Sequence, residues 1–381
     1  MRVLVLNAGS SSLKASVVED DETLLRTTVS WGGDATQALD RPAGVRAVLG
    51  ALSSAGIDAS SIGAVGHRVV HGGATFTRPV VVDDGVVAKL DALTELAPLH
   101  NAVAVEAVRV VRTALPTIPH IACFDTAFHA SLPETVARYP VPEAWHTELG
   151  IRRFGFHGLS VAWAMEQMGQ LLGRNAGEVE AVVAHLGSGC SVTAVSGGVS
   201  VATSMGFTPL EGLMMGTRAG SIDPGILLYL LRHRSMGLDE LADALDHRSG
   251  LLGVSGRSAD IRELEALADA GDERARLALT MFVDRAASGI AGVAVALNRL
   301  DALVFTGGIG EHAGRIRAAI VDRLLVLGIQ SISPDENGQD RLLAPAHGPG
   351  APDVQTPAIL RIESREDLVV ARAVSAVLGK G

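Results

Sequence analysis

The chain has 381 residues, of which 48% are hydrophobic and 3% aromatic. It is longer than one hydrophobic core usually serves, so we expect two domains with cores of aliphatic side chains. The 32 basic and 42 acidic residues give a net charge of −10, which argues against a nucleic-acid-binding or polybasic membrane surface.

Two further features restrict the class of protein. Cys123 and Cys190 have no CxxC partner, so neither a disulfide framework nor a structural zinc site is expected. The N-terminus lacks the basic and apolar regions of a signal peptide. No uninterrupted apolar run of about 18 residues is present, so we expect a cytoplasmic protein without a membrane span.

The chain opens with a strand, a tight turn of small residues and a second strand. Residues 2–6 form a β-branched run, residues 7–12 the turn, and residues 14–18 resume the strand pattern. Backbone N–H groups in such a turn, with Lys14 beside them, suit a phosphate group. An ordinary N-terminal hairpin would show the same pattern.

The same pattern recurs in the middle of the chain. Residues 9–17 align with residues 187–195, where glycine, serine and a short apolar run follow in the same order. Two copies indicate two similar domains, each presenting a Gly/Ser hairpin to one shared ligand. The repetition favours phosphate binding over a plain hairpin.

The remaining elements alternate strands and helices. A domain boundary is expected near Thr126, because the Pro-rich stretch 133–143 follows it. Residues 204–225 are rich in Gly and Met and too irregular for one element. Strands are predicted at 64–70, 118–124, 181–195 (a hairpin) and 301–306, and helices at 97–115, 159–172, 226–233, 238–245, 261–270, 273–298, from about 313, and at 368–378.

The segment 308–313, GIGEHA, follows a predicted strand and opens a helix, as in the dinucleotide fingerprint GxGxxA. No βαβ unit precedes it at the usual N-terminal place. We therefore favour close approach of a nucleotide base or ribose to its glycines over NAD binding. The sequence contains no GxxxxGK[ST], which excludes a P-loop enzyme.

Two arginines, Arg68 and Arg218, stand among glycines rather than in charge runs. Such arginines are well placed to reach a ligand, and two guanidinium groups could clamp a transferring phosphoryl group. Structural salt bridges are the alternative. His67 and His71 are interpreted as core histidines, or as histidines that support site residues, rather than as metal ligands.

Carboxylates and histidines at the ends of elements complete the candidates. Asp125 ends a buried strand and Glu366 begins a helix, so each could hold a Mg²⁺ that bridges phosphates, or act as an ordinary cap. His157 lies in a Gly/aromatic loop, where a lone histidine is more often structural. His185 precedes the second hairpin and could donate to a phosphate.

These residues together resemble the acetate kinase family, within the acetate and sugar kinase/Hsp70/actin superfamily. The resemblance runs almost end to end through ordered motifs: LNAGSSSLK at 6–14, GHRVVHGG at 66–73, APLHN at 97–101, FDTAFH at 124–129, FGFHGLS at 154–160, HLGSG at 185–189, TSMGFTPLEGLMMGTR at 203–218 and FTGGIGEH at 305–312. It implies an α/β fold of two duplicated actin-like, ribonuclease H-like domains with an active-site cleft between them. Domain I would be residues 1–126 plus 367–381, and domain II residues 127–366.

The resemblance also implies a reaction. ATP would phosphorylate acetate reversibly, giving acetyl phosphate and ADP, with Mg²⁺ (or Mn²⁺) as cofactor and usually in a homodimer. No nucleic acid or membrane partner is implied. A carboxylate nucleophile is already ionised near neutral pH. We therefore expect direct in-line attack on the γ-phosphorus without a general base.

The resemblance assigns roles residue by residue. Asp125, His157, Arg218 and Arg68 would be catalytic, and Asn7 and Glu366 would hold the metal. Substrate would contact Arg68, Val70, Leu99, His100, Phe156 and Pro209, of which the four apolar residues would form the acyl pocket. Nucleotide would contact Lys14, His185, Gly187, Ser188, Gly189, Asp260, Ile261, Arg262, Gly307, Gly308, Ile309, Gly310 and His312.

Several alternatives stay open. The branched Val70 favours acetate over propionate and butyrate, but one methylene discriminates by only about 1–3 kcal/mol. Ser188, Ser221 and His312 stand where the family commonly has Asn, Asp and Asn, which leaves a pyrophosphate-linked donor as an alternative. A nucleotide-responsive binding module is the rival from another class. A dehydrogenase is a third alternative, supported only by the GxGxxA motif.

Overall fold

The computed structural model describes residues 1–9, 12–31, 40–96, 98–335, 340–346 and 356–379, and the side chains of residues 95–100 lie outside this description. Ser10 and Ser11 of the first predicted turn also lie outside it. The chain divides into two compact units. Unit 1 comprises Met1–Ala130, Phe156–Ala162 and Arg365–Gly381, and unit 2 comprises Ser131–Gly155 and Trp163–Ser364.

Twelve strands and fourteen α-helices make up the described part of the chain, together with short 3₁₀ turns. The strands are β1 Val3–Ala8, β2 Ser12–Glu19, β3 Glu22–Ser30, β4 Ala64–Val69, β5 Val80–Val81, β6 His120–Phe124, β7 Ala181–Leu186, β8 Cys190–Ser196, β9 Val199–Thr203, β10 Ala302–Thr306, β11 Arg341–Ala344 and β12 Ala358–Arg361. The helices are α1 Arg41–Ser54, α2 Asp84–Ala92, α3 Pro98–Ala114, α4 Glu134–Ala137, α5 Glu143–Thr147, α6 Gly158–Leu172, α7 Pro224–His233, α8 Leu238–His247, α9 Gly250–Ser255, α10 Ile261–Asp269, α11 Glu273–Ala294, α12 Gly307–His312, α13 Gly314–Arg323 and α14 Glu366–Val377.

Unit 1 is built on a six-stranded sheet in the order β3-β2-β1-β4-β6-β5. β1, β4 and β6 run parallel, and the other neighbours pair antiparallel. Side chains alternate between the two faces of a strand. Leu4 and Leu6 therefore join a core with Val48 of α1 and Val103 of α3, while α14 packs against β1 and β4.

Unit 2 repeats this sheet. Its order is β9-β8-β7-β10-β12-β11, with β7, β10 and β12 parallel and the outer strands antiparallel. The first hairpin of each sheet has the same place, with Ala8 opposite Leu13 in unit 1 and Leu186 opposite Cys190 in unit 2. The expected fold of two duplicated α/β domains is therefore confirmed.

The segment 156–162 groups with unit 1 because it bonds to residues of that unit. The Gly158 N–H donates to the Asp125 carbonyl at 2.9 Å, and His129 Nε2 lies 2.9 Å from the Phe156 carbonyl oxygen. The predicted division at residue 126 does not place this segment with domain I.

The structure changes several predicted boundaries. The strand predicted from residue 118 begins at His120, after Pro119, which has no N–H to donate to a ladder. The helix predicted to residue 298 ends at Ala294, and α9 at Gly250–Ser255 has no counterpart in the prediction. Residues 204–225 contain no strand, and their only helical residues are the first two of α7.

One helix in the described part of the chain, Glu273–Ala294, is long and apolar enough to cross a bilayer. Core helices of globular proteins meet the same test. Phe282, Ala286 and Ile290 of this helix are buried, and the helix packs against β7 and β8.

Candidate active site

An arginine held by two carboxylates lies at the carboxyl end of β4 in unit 1. Arg68 Nε donates to Asp125 Oδ1 at 2.9 Å, and Arg68 Nη2 donates to Asp125 Oδ2 at 2.6 Å. Arg68 Nη1 lies 3.1 Å from Glu366 Oε2. Burial lowers the pKa of Arg68, but the charges of Asp125 and Glu366 outweigh it and hold the pKa above its ordinary value. The guanidinium therefore stays charged, with its plane fixed.

The sheet and one glycine bring these groups together. Arg68 pairs with Asn7 of β1, which pairs with Lys14 of β2, so these side chains share one face of the sheet. Two residues before Arg68, Gly66 is on the same face, where a Cβ would lie 2.4 Å from Val370 Cγ1 of α14. The absent Cβ lets α14 approach the sheet closely, which puts its first residue, Glu366, against Arg68.

His157 lies beside this cluster on a strained loop. Its φ is +58°, an uncommon value for a residue with a side chain. The next residue, Gly158, packs so closely that a Cβ would lie 2.2 Å from the Asp125 carbonyl oxygen. Strained backbone of this kind is concentrated at functional sites. The loop thus places His157 one residue before the Gly158 N–H that donates to the Asp125 carbonyl oxygen.

The predicted acyl side is partly visible. Val70 is half-buried, and Phe156 is buried with its ring edge-on to His71 at 5.4 Å. Leu99 and His100 are on α3, but their side chains lie outside the described part. His67 and His71 are buried, which agrees with either interpretation, as core histidines or as supports of site residues.

Unit 2 carries the other predicted catalytic arginine. Arg218 Nη1 donates to the Pro209 carbonyl at 3.2 Å, so two residues of the long Gly/Met-rich segment meet. Burial lowers the pKa of Arg218, while nearby Asp246 and Cys190 act in the opposite direction. Cys190 begins β8, so the guanidinium lies near the second Gly/Ser hairpin.

The hairpin and the glycine segment of α12 also meet within unit 2. Thr306 pairs with His185 across β10 and β7. A Cβ on Gly307 would lie 2.7 Å from the Leu186 carbonyl oxygen and 3.1 Å from His185 Nε2, and Gly307 has φ of +77°. A Cβ on Gly187 would lie 3.7 Å from the Gly308 nitrogen. Two motifs about 120 residues apart in sequence therefore form one backbone-lined surface that suits phosphate or ribose.

The other residues predicted to contact the nucleotide differ in their surroundings. Asp260 caps α10 and pairs with Arg262, whose Nη2 lies 2.6 Å from Asp260 Oδ2. Ile261 is buried. Ser188 is exposed in the hairpin turn, and His312 is largely exposed beside Glu311. Gly189, Ile309 and Gly310 lie within the two motifs that meet.

The oxygen donors near Arg68 are of the kind that Mg²⁺ prefers. Among the described residues, no group of three or more His, Cys, Asp or Glu side chains forms a metal site. Mg²⁺ is commonly held by one or two carboxylates with phosphate oxygens and water completing its shell. Glu366 and the amide of Asn7 fit that pattern, so the residues present suit the ion.

The sequence analysis did not identify several residues that hydrogen-bond to, or pack against, the elements of the predicted site. Asn101 Oδ1 accepts the His71 N–H at 3.1 Å, and Asn101 Nδ2 donates to the His71 carbonyl at 2.9 Å. Asn101 ends the APLHN motif, which was the available signal. Gly66 and Glu311 were also missed, although both lie inside quoted motifs.

Two sheets of the same strand order define a two-domain α/β fold. The arginine held by carboxylates in unit 1 and the glycine-lined backbone surface in unit 2 are groups suited to phosphoryl transfer. The model of the Acetokinase family matches residues 2–372, and the chain belongs to that family. It is a kinase with a carboxyl group as acceptor.

Individual relatives agree with this assignment. The chain is 43% identical to an acetate kinase of Deinococcus deserti, with 99% of this chain and 98% of that protein covered. A propionate kinase from Francisella tularensis has a TM-score of 0.88 at 35% identity, with 98% of each chain covered. An acetate kinase from Porphyromonas gingivalis has a TM-score of 0.87 at 32% identity, with 99% of each covered.

Proposed function

We propose that this kinase transfers the γ-phosphoryl group of ATP to acetate, reversibly, giving acetyl phosphate and ADP. The observation that carries the proposal is Arg68, held by Asp125 and Glu366 beside the strained His157. A fixed cation of this kind suits the charge that develops on a transferring phosphoryl group. The names of the curated relatives support acetate as the acceptor.

The proposed mechanism is a single displacement. A carboxylate oxygen of acetate attacks the γ-phosphorus, the new O–P bond forms, and the bond to the β,γ-bridging oxygen breaks as ADP leaves with its electrons. Arg68, Arg218 and His157 stabilise the equatorial oxygens, and Asp125 orients Arg68. The attacking carboxylate is already ionised, so no proton has to be removed. Chiral thiophosphate ATP should give inverted product, and net retention would contradict the single displacement.

Asn7 and Glu366 would hold Mg²⁺ in this proposal. Bound there, the ion would neutralise part of the negative charge of the phosphate groups. Glu366 also contacts Arg68, so the same carboxylate would orient the arginine and hold the ion. Chelation should abolish turnover, and added Mg²⁺ or Mn²⁺ should restore it. Full activity in excess chelator would contradict the metal assignment.

Propionate is the second candidate acceptor, favoured by the propionate kinase among the similar structures. Acyl phosphate formation, trapped as the hydroxamate, separates the candidates in a grid of acetate, propionate and butyrate against ATP, GTP and pyrophosphate. We expect the highest rate with acetate and ATP. A higher rate with propionate would make propionate the preferred acceptor. Turnover with pyrophosphate alone would show that Ser188 and His312 belong to a site for a different phosphoryl donor.

A homodimer is part of the proposal, supported by the surface of α7. This helix, described in full, has no buried residue, although six consecutive residues, 226–231, are apolar or aromatic. Leu228 is 51% exposed and Leu238, just beyond the helix, is 74% exposed. A helix that is apolar on all sides is normally covered. Light scattering should give twice the chain mass, and Leu228→Glu should give monomers.

A further inference from the structure

Glu311 is a buried acidic residue that the proposed mechanism does not use. It is the fifth residue of α12 and is 7% exposed. Its Oε1 accepts the N–H of Ser364 at 2.9 Å. Burial raises the pKa of Glu311, and the backbone N–H groups of Ser364 and Gly307 act against that rise. The carboxylate thus joins α12, which contains the glycine segment, to a stretch of chain 53 residues later.

The other end of α12 is also held by a buried charge. Arg317, 1% exposed, donates from Nη1 to the carbonyl oxygens of Gly310 and Glu311, each at 2.9 Å. These carbonyls have no partner further along this short helix. A segment of three glycines and one isoleucine has little side-chain surface with which to fix itself, so its position depends on such polar contacts.

The stretch that Glu311 contacts is itself well ordered. The Ile362 N–H donates to the Phe305 carbonyl at 2.9 Å. Trp163 Nε1 donates to the Glu363 carbonyl at 2.9 Å, and the Glu363 N–H donates to Asp340 Oδ1 at 2.6 Å. Ser364 follows directly and precedes Glu366 by two residues. Glu311 therefore accepts from a backbone that is itself held at several points within unit 2.

We propose that Glu311 is a positioning residue, whose carboxylate holds Gly307–Gly310 in the form that binds nucleotide and ties that segment to the backbone before Glu366. The inference rests on the proposed nucleotide site and adds a residue that touches no reacting atom. Removing the carboxylate leaves the Ser364 N–H without this acceptor and α12 without this contact. The glycine segment then samples other positions, and nucleotide affinity falls.

The test compares three variants of the full chain. Glu311→Ala removes both acceptor oxygens, Glu311→Gln keeps one, and Glu273→Gln changes an exposed glutamate in the first turn of α11. Dissociation constants for ADP are measured by calorimetry, independently of turnover. KM values for ATP and for acetate are measured separately.

Loss of a buried acceptor should raise the ADP dissociation constant of Glu311→Ala by about tenfold. The constant of Glu311→Gln should lie between those of Glu311→Ala and the unmodified protein, and that of Glu273→Gln should be unchanged. KM for ATP should rise by a similar factor, while KM for acetate should stay within about twofold of its value in the unmodified protein. A general loss of structure would raise both KM values. An unchanged ADP constant in either Glu311 variant would overturn the positioning role. Glu311→Gln serves if Glu311→Ala does not fold. Failure of the unmodified protein to bind ADP would instead overturn the proposed nucleotide site.

Discussion

A methyl group added at Gly66 should move α14 and separate Glu366 from Arg68. The new Cβ would lie 2.4 Å from Val370 Cγ1 and 3.0 Å from Val374 Cγ2. Carbon atoms in contact are normally about 3.5–4.0 Å apart, so α14 has to move by about 1 Å. The contact between Arg68 Nη1 and Glu366 Oε2, now 3.1 Å, would open to about 4 Å, beyond hydrogen-bonding distance.

This displacement should lower both the stability of the protein and its kcat. Overpacking a core in this way costs about 1–3 kcal/mol in the free energy of unfolding. A misplacement of about 1 Å in a phosphoryl-transfer site corresponds to a loss of up to about a hundredfold in kcat. The concentration of Mg²⁺ for half-maximal activity should also rise, because Glu366 is the proposed carboxylate ligand.

The assay uses a compensating substitution. Val370→Ala removes the methyl group that the new Cβ would meet at 2.4 Å and leaves only the looser 3.0 Å contact with Val374 Cγ2. The double variant Gly66→Ala/Val370→Ala should therefore regain kcat to within about threefold of Val370→Ala alone. Hydroxamate formation at varied Mg²⁺ gives kcat and the metal dependence, and thermal unfolding gives stability. If Gly66→Ala alone had the activity and metal dependence of the unmodified protein, the close approach of α14 would not set the site.

Three further outcomes are expected. Arg218→Ala should lower kcat by about 10²–10⁴ in a folded protein, and near-normal turnover would remove it from the phosphoryl clamp. Val70→Ala should shift kcat/KM toward propionate by roughly 1–3 kcal/mol relative to acetate, and an unchanged ratio would place the acyl pocket elsewhere. Burial lowers the pKa of His67 to about 3, with His120 and Arg112 adding to the effect, and lowers that of His129 to about 4, both from an ordinary 6.5. Below pH 6.5 the unfolded chain therefore binds protons that the folded chain does not, and each histidine should cost about 1.4 kcal/mol per pH unit down to its folded pKa. The melting temperature should fall from pH 7 to pH 5, less steeply in His129→Gln, and a flat profile would contradict this.

The sequence was most informative where local pattern decides structure. The strands around residues 3–8 and 181–186 have apolar runs bounded by Gly/Ser turns, and their similarity predicted the repeated sheet. The arginines were found because glycine neighbours make a charged surface role improbable. These signals depend on neighbours in the chain, which a sequence displays directly.

Contacts between segments that are distant in the chain could not be predicted from the sequence. Nothing in the residues around Gly66 shows that Val370 would need its missing Cβ. Glu311 looks like part of a glycine motif until Ser364, 53 residues later, is seen to donate to it. Asp260 and Arg262 were assigned to the nucleotide by resemblance, and their pairing with each other is visible only in three dimensions.

We propose that Arg68, held by two carboxylates, serves phosphoryl transfer to acetate. The most direct measurement is hydroxamate formation from acetate and ATP with Mg²⁺ by the unmodified protein and by Arg68→Ala in the same assay. We predict rapid acyl phosphate formation by the former and a kcat lower by about 10²–10⁴ in the folded variant. No acyl phosphate from the unmodified protein would contradict the proposed reaction, and equal rates from the two proteins would contradict the role of Arg68.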